Sequence, residues 1–203
     1  MTTLSAYPPA TGLPRAHRVR IVSIPERRCL AIGGDGEPGG SDFQAAMSAL
    51  YSAAYSLHFL LGGRGIETPV SPPEALWERR DGRSSWAEGD LAFDPAAWRW
   101  TLAIAIPEEA SDEDVTSAIA VARRRHPSPA LEHLFTLTLH EGIAVEAMHI
   151  GPYDAEAETI AKMHDVATEA GLRPHGAHHE IYLGDPRRTD PRKLRTVLRQ
   201  PLH

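Results

Sequence analysis

What narrows the fold most is an order of segments that occurs twice. Two short strand-like runs, a helix with an apolar stripe and two more strand-like runs fill the first half, and the same order fills the second. In the first half HRVRIVSI and RRCLAIGG read as strands joined at Pro25-Glu26. The helix starts at about Ser41, where Gln44 three residues on predicts a capping box. Phe43, Met47, Leu50, Ala54, Leu57 and Leu61 recur at helical spacing until the GGRG stretch stops it. PEALWER and WRWTLAIAI follow as strands, separated by a polar segment holding Asp81, Gly82 and Gly89. A helix with Ser111 as N-cap leads into the second half. There LEHLFTLTL and IAVEAMHI read as strands joined around Glu141-Gly142. DAEAETIAKMHDVATEA reads as a helix capped by Asp154 and ended at Gly171, and HHEIYLG and KLRTVLRQ as the closing strands.

Laid over one another, the halves match Pro25-Glu26 with His140-Glu141, Glu74 with Glu180, and Trp100-Thr101-Leu102 with Arg195-Thr196-Val197. The expected fold is α+β: a pseudo-two-fold repeat of strand-strand-helix-strand-strand units, with antiparallel sheets around a central ligand pocket. Repeat one covers about 17–107 and repeat two about 131–203, with a bridging helix at about 111–125. Residues 1–16, rich in Pro, Ala and small polar side chains, read as an irregular arm ahead of a single domain over 17–203.

Charge and composition exclude several function classes. A net charge of −6 over 203 residues offers no concentrated basic face for phosphates, so no nucleic-acid partner is expected. The basic tail DPRRTDPRKLRTVLRQ is diluted by Asp185 and Asp190 and reads as a solvated surface. A single cysteine, Cys29, rules out an internal disulfide and fits a reducing compartment. No apolar run approaches the ~20 residues of a membrane span, and MTTLSAYPPATGLPRA lacks a signal-peptide core. A soluble, cytoplasmic protein with no membrane partner is the expectation. Of the eleven histidines, His175, His178 and His179 cluster, but neighbours in a strand point to opposite faces, and no His-Glu-x-x-His spacing occurs. No metal is expected. The glycine pairs give neither a dinucleotide fingerprint nor a phosphate-loop lysine, and no serine sits in a nucleophile elbow, so no cofactor is implied.

The strand HHEIYLG carries the strongest candidate. Alternation places His178, Glu180 and Tyr182 on one face and Ile181 and Leu183 on the other. Strands disfavour Glu, so an acid flanked by His and Tyr suits a ligand pocket, where partial desolvation lets it attract a cation or act as general acid or base. Glu74 is either its mate across the pseudo-axis, mutual repulsion raising one pKa, or a solvent-facing residue opening a strand. Tyr153 either packs at the turn or donates a hydrogen bond to a leaving oxygen. Glu156 and Glu158 complement the dipole of the helix they begin, and Glu156 doubles as an alternative second carboxylate. Trp77, Trp98 and Trp100 serve core packing or an aromatic wall, with at least one expected in the pocket. Tyr51 and Tyr55, one helical turn apart, together with Glu146, complete the candidate ligand-binding set.

The stretches HIGPYD, HHEIYLGDPRRTDPRKLRTVLRQP, LYSAAYSL and PEALW resemble the GyrI-like small-molecule-binding family in its long, free-standing form, from about His17 to the end. Where the family usually shows Glu-Gly-Leu-Trp-Trp, this chain has Glu74-Ala75-Leu76-Trp77-Glu78. The resemblance implies a pseudo-symmetric fold with a central pocket. In related multidrug-sensing regulators that pocket binds bulky, often cationic aromatic compounds around a glutamate matching Glu180, ringed by aromatic residues. Those regulators add a helix-turn-helix, for which the roughly sixteen residues before the first strand leave no room. Some free-standing members hydrolyse cyclopropane-bearing DNA-alkylating natural products, and another member type inhibits DNA gyrase by binding it. The resulting expectation is a binder of bulky apolar or cationic small molecules, a xenobiotic or natural-product toxin. Hydrolysis of strained-ring alkylators by Glu180, Glu74 and Tyr153 is the alternative. Gyrase inhibition ranks behind both, since no surface feature in the sequence advertises it.

Overall fold

The structure, a computed structural model, describes residues 12–16, 18–81 and 97–203. Its elements follow the order read from the sequence: β1 (Val19–Ile24), β2 (Arg27–Asp35), α1 (Ser41–Gly62), β3 (Pro73–Arg79), β4 (Trp98–Ala105), α2 (Asp112–Arg125), β5 (Phe135–Leu139), β6 (Gly142–Ile150), α3 (Ala157–Glu169), β7 (His178–Tyr182) and β8 (Arg195–Pro201). Most of the arm, residues 1–11, lies outside the described residues. So does most of the polar segment after β3, including Gly82 and Gly89.

The strands form one antiparallel sheet in the order β1-β6-β8-β7-β3-β4-β2-β5. That order forces a curl. β1 and β2 stand six strand spacings apart, about 29 Å in a flat sheet, yet Pro25-Glu26 alone joins them. Three Cα steps reach about 11 Å at most. The same holds for β5 and β6, joined by His140-Glu141. The sheet therefore bends into a half-barrel whose two connections run side by side, and His140 Nδ1 lies 3.0 Å from Glu26 Oε2 across them.

Glu141, on one of these connections, reaches side chains of β8, β7 and β2, so the face they share is the inner one. The helices cover the outer face. Leu30, Ile32, Trp100, Leu102 and Ile104 pack against α1 and α2 in the largest apolar cluster, and Val145, Ala147 and Leu198 pack against Met163 and Ala167 of α3. Trp100 lies across Gly34, its neighbour in the β2–β4 register, where a Cβ would collide with the indole. Among the described residues no helix is long and apolar enough to cross a membrane.

Three local readings need correction. The N-cap of α1 is Gly40, with no side-chain cap, and Gln44 instead donates to the Gly39 carbonyl at 2.6 Å. Gly39, at φ +77°, turns the chain so that Ser41 is already helical. The expected strand LEHLFTLTL opens as a 3-10 turn over Pro129–His133, where proline fits a first turn but breaks a ladder. Asp154 does not cap α3. Tyr153–Ala155 forms its own 3-10 turn, and α3 starts after Glu156, whose side chain makes no cap bond. Ser111 does cap α2, exchanging bonds with Asp114 at 3.2 and 2.9 Å.

Candidate ligand site between α1 and α3

β7 crosses the middle of the sheet, and its alternation sorts the candidates. His178, Glu180 and Tyr182 face the helices, while His179 and Ile181 face inward. Glu180 accepts a hydrogen bond from the Tyr182 hydroxyl at 2.7 Å. Burial raises its pKa, against the opposing influence of Tyr182, of the Trp77 indole and of the His179 charge. Glu156, 6% exposed, comes up to the same place from the start of α3. Burial first, then the charge of Glu180, lifts its pKa to about 9, although the Thr196 hydroxyl works the other way. Thr196 is the β8 partner of Tyr182, which fixes the spot on the sheet. The Thr196 hydroxyl acts on Glu156 from close by without a hydrogen bond of ordinary geometry, and neither its Oγ1 nor Glu156 Oε1 has another partner among the described residues.

With its pKa at about 9, Glu156 holds its own proton at neutral pH beside Glu180. Around them stand aromatic rings. Tyr153 packs edge-on to Tyr182 with centroids 5.7 Å apart, and burial, then Glu156, Glu180 and Asp185, push its phenol up to about 12. Trp77 pairs with His178 in the β3–β7 register and stacks on Phe43 of α1. His178, 3.8 Å from Glu180, is driven to about 3 by burial and then by His179 and His164, so it stands neutral. Tyr51 packs at the edge of the α1 core, with its phenol pushed to about 12 by burial, Tyr55 and Asp185. Tyr55 stacks on it at 6.1 Å and is 48% exposed. Trp100, edge-on to Phe43 at 5.3 Å, belongs to the core.

The structure does not bring Glu74 or Glu146 to this place. In the β3–β7 register Glu74 opposes Ile181 and Ala75 opposes Glu180, so the two acids matched by sequence project from opposite faces. A one-residue slip has that effect. Glu74 is gripped by both terminal nitrogens of Arg27 at 2.5 Å and by His179 Nε2 at 2.8 Å. Burial would raise its pKa, but Arg27 and His179 outweigh it and hold it at about 2. Glu146 lies between Arg20 (2.6 and 2.9 Å) and Arg199 (3.0 and 3.1 Å). Glu141 closes the row, accepting from Arg199 Nη1 and from His179 Nδ1 at 2.8 Å each.

This inner row was not foreseen. Arg199, read as part of a solvated tail, is completely buried, whereas Arg187 and Arg192 of that tail do lie in solvent beside Asp185 and Asp190. The available signal was the final strand itself, where Arg199 alternates with Val197 on one face amid buried neighbours. Among the described residues no group of three or more His, Cys, Asp or Glu side chains is placed to hold a metal ion.

Comparison with known proteins agrees with the resemblance noted in the sequence. An uncharacterized conserved protein from Listeria innocua, of known structure, is 33% identical, with 94% of each chain covered and a TM-score of 0.83. A structure described as a hydrolase from the same organism is 30% identical over 95% of this chain and 94% of its own, with a TM-score of 0.80. The EcmrR C-terminal domain, 11% identical over 92% of this chain and 97% of its own, shares the fold at a TM-score of 0.55. No curated protein matches. The GyrI-like small molecule binding domain matches residues 65–203, a span that contains β3, the whole of β7 and the turn carrying Tyr153 and Glu156, and the chain belongs to that family.

Proposed function

We propose that the protein binds a bulky, largely apolar or cationic small molecule between α1 and α3, above β7. Glu180 and Glu156 form the acidic centre, and Tyr182, Tyr153, Trp77 and Tyr51 the aromatic surround, with Tyr55 at the outer margin and His178 as a neutral neighbour. One observation carries the reading: a buried Glu156 and a half-buried Glu180 at the same place have no Lys or Arg partner among the described residues, and Glu156 keeps an oxygen without a partner. Buried charge is ordinarily paired. A cationic or hydrogen-bond-donating guest would complete this set, with aromatic faces adding roughly 0.5–2 kcal/mol per cation–π contact. The strand order supports two related halves, since exchanging β1–β4 for β5–β8 turns it into its own reverse. Fluorescence titration with N-methylacridinium and with uncharged acridine tests the reading. The cation should bind tighter, and Glu180→Gln should weaken it about tenfold while sparing acridine. Equal affinities in both proteins would sink the charge-based reading.

A protonated Glu156 beside Glu180 supports hydrolysis of a strained electrophilic ring as a second reading. Water would attack a ring carbon, forming a C–O bond as a ring C–C bond breaks. Glu180 would take the proton of water, and Glu156 or Tyr153 would protonate the oxygen that collects the electron pair. The net change is addition of one water. Mass spectrometry of a cyclopropane-bearing alkylator incubated with catalytic amounts of protein decides it: turnover lost in Glu180→Gln supports hydrolysis, and stoichiometric binding without product leaves binding alone.

A further inference from the structure

The inner row bears directly on the pair above it. His179 lies between His178 and Glu180 along β7, its ring on the inner face and completely buried. Its Nδ1 is 2.8 Å from Glu141 Oε1 and its Nε2 is 2.8 Å from Glu74 Oε2. An ionised carboxylate only accepts, and a neutral imidazole donates from one nitrogen, so making both bonds requires the imidazolium. Both glutamates stay ionised because each also holds a guanidinium, Arg27 on Glu74 and Arg199 on Glu141. Arg20, Arg27 and Arg199 balance Glu74, Glu141 and Glu146, three charges against three, so protonated His179 makes the row +1. Cys29, on the same face, adds no charge, since burial and then Glu74 push its thiol up to about 12.

The groups facing the pair from the helix side are asymmetric. Glu180 has the Tyr182 hydroxyl as donor, whereas Glu156 keeps an unpartnered oxygen. His178 stands neutral, and burial pushes His164 of α3 in the same direction. The Tyr153 and Tyr182 phenols are both raised and stay protonated. No cation on that side favours either acid among the described residues; the nearest in sequence is behind Glu180.

We propose that His179 is a positioning residue for the proton of this acid pair: its imidazolium, bonded to Glu141 and Glu74, one residue from Glu180 and on the opposite face of the sheet, holds Glu180 ionised and leaves the proton on Glu156. This rests on the reading of the pair as the ligand centre, and it gives that centre a direction. Glu156 presents a donor, Glu180 an anion, so a guest is met by its acceptor on one side and its positive end, or an activated water, on the other.

The test needs no ligand, so it stands or falls separately from binding. Side-chain carboxyl carbons of glutamate are labelled with 13C and histidine nitrogens with 15N, Glu156→Gln and Glu180→Gln supply the assignments, and NMR follows both labels with pH. In the wild type at neutral pH, His179 should be doubly protonated, Glu156 protonated and Glu180 ionised. His179→Gln should raise the Glu180 midpoint by about one pH unit, and His179→Lys, which keeps a cation, should restore it. Should neither variant fold, the wild type still decides: the Glu180 resonance must move in the same alkaline transition that deprotonates His179. A neutral His179 at neutral pH, a protonated Glu180 beside an ionised Glu156, or an unmoved Glu180 midpoint in folded His179→Gln would overturn the proposal.

Discussion

The two faces of the sheet treat buried glutamates in opposite ways. On the inner face Glu74, Glu141 and Glu146 are saturated by Arg20, Arg27, Arg199 and His179. On the helix face, one residue away along β7, Glu180 and Glu156 have each other and a few neutral donors. The inner set is complete and so has nothing to offer a guest; it ties the His140-Glu141 connection and the strands β1, β2, β3, β6, β7 and β8 into one body. The outer set is incomplete, and that is a cost in the free protein. Buried acids alone do not mark a site: unmatched ones do.

The largest effect should come from breaking the complete set. Arg199→Met leaves Glu141 and Glu146 buried beside lost partners, and should destabilise by about 3–5 kcal/mol. Chemical denaturation measures it, with Glu156→Gln as the contrasting control that should be neutral or stabilising. A cost below about 1 kcal/mol for Arg199→Met would erase the contrast between the faces.

The pH response separates them next. Glu74 is depressed to about 2 and Glu141 also lies low, so their contribution is present above their ordinary 4.5 and lost as pH falls towards 2. His179 is raised, so its contribution is complete below 6.5 and lost as pH rises through its folded value. Glu156 is raised from 4.5 to about 9, so the stability tied to its proton is complete below 4.5 and drains away as pH climbs to about 9. Glu156→Gln should therefore gain roughly 4–5 kcal/mol near pH 8, about 1.4 kcal/mol for each pH unit above 4.5, and nothing near pH 4. Denaturation midpoints across that window check it, and an equal offset at both ends would show that the effect is packing, not charge.

Periodicity carried the element order because strands and helices leave 2.0 and 3.6 repeats in a single segment. It also carried the face of Glu180, and with it Tyr182 and His178. What it could not carry is any relation that exists only after closure. Arg27, Glu141, His179 and Arg199 come from four separate segments, and Glu141 looks like a turn residue until the sheet curls over it. Register failed for a related reason. Matching Glu74 to Glu180 places like beside like in an alignment, but the ladder is offset by one and turns them to opposite faces. The position of Glu156, the alternative second acid, follows from the short 3-10 turn that displaces the start of α3, a detail no spacing rule contains.

The smallest of these effects is also the most selective. Tyr182→Phe removes one hydroxyl whose acceptor is Glu180. On the inner face each glutamate has several donors and would keep some after any single loss; here an important neutral donor disappears while the ring packing stays. The expected cost is about 1 kcal/mol, and it should be greater at pH 8 than at pH 5. An ionised carboxylate in a dry setting needs its donor, and a protonated one needs it less. Denaturation at the two pH values, repeated with Glu180→Gln as background, isolates the difference. If the cost is the same at both and survives in the Glu180→Gln background, the hydroxyl is not serving a charged Glu180, and the helix-side centre does not hold an anion there.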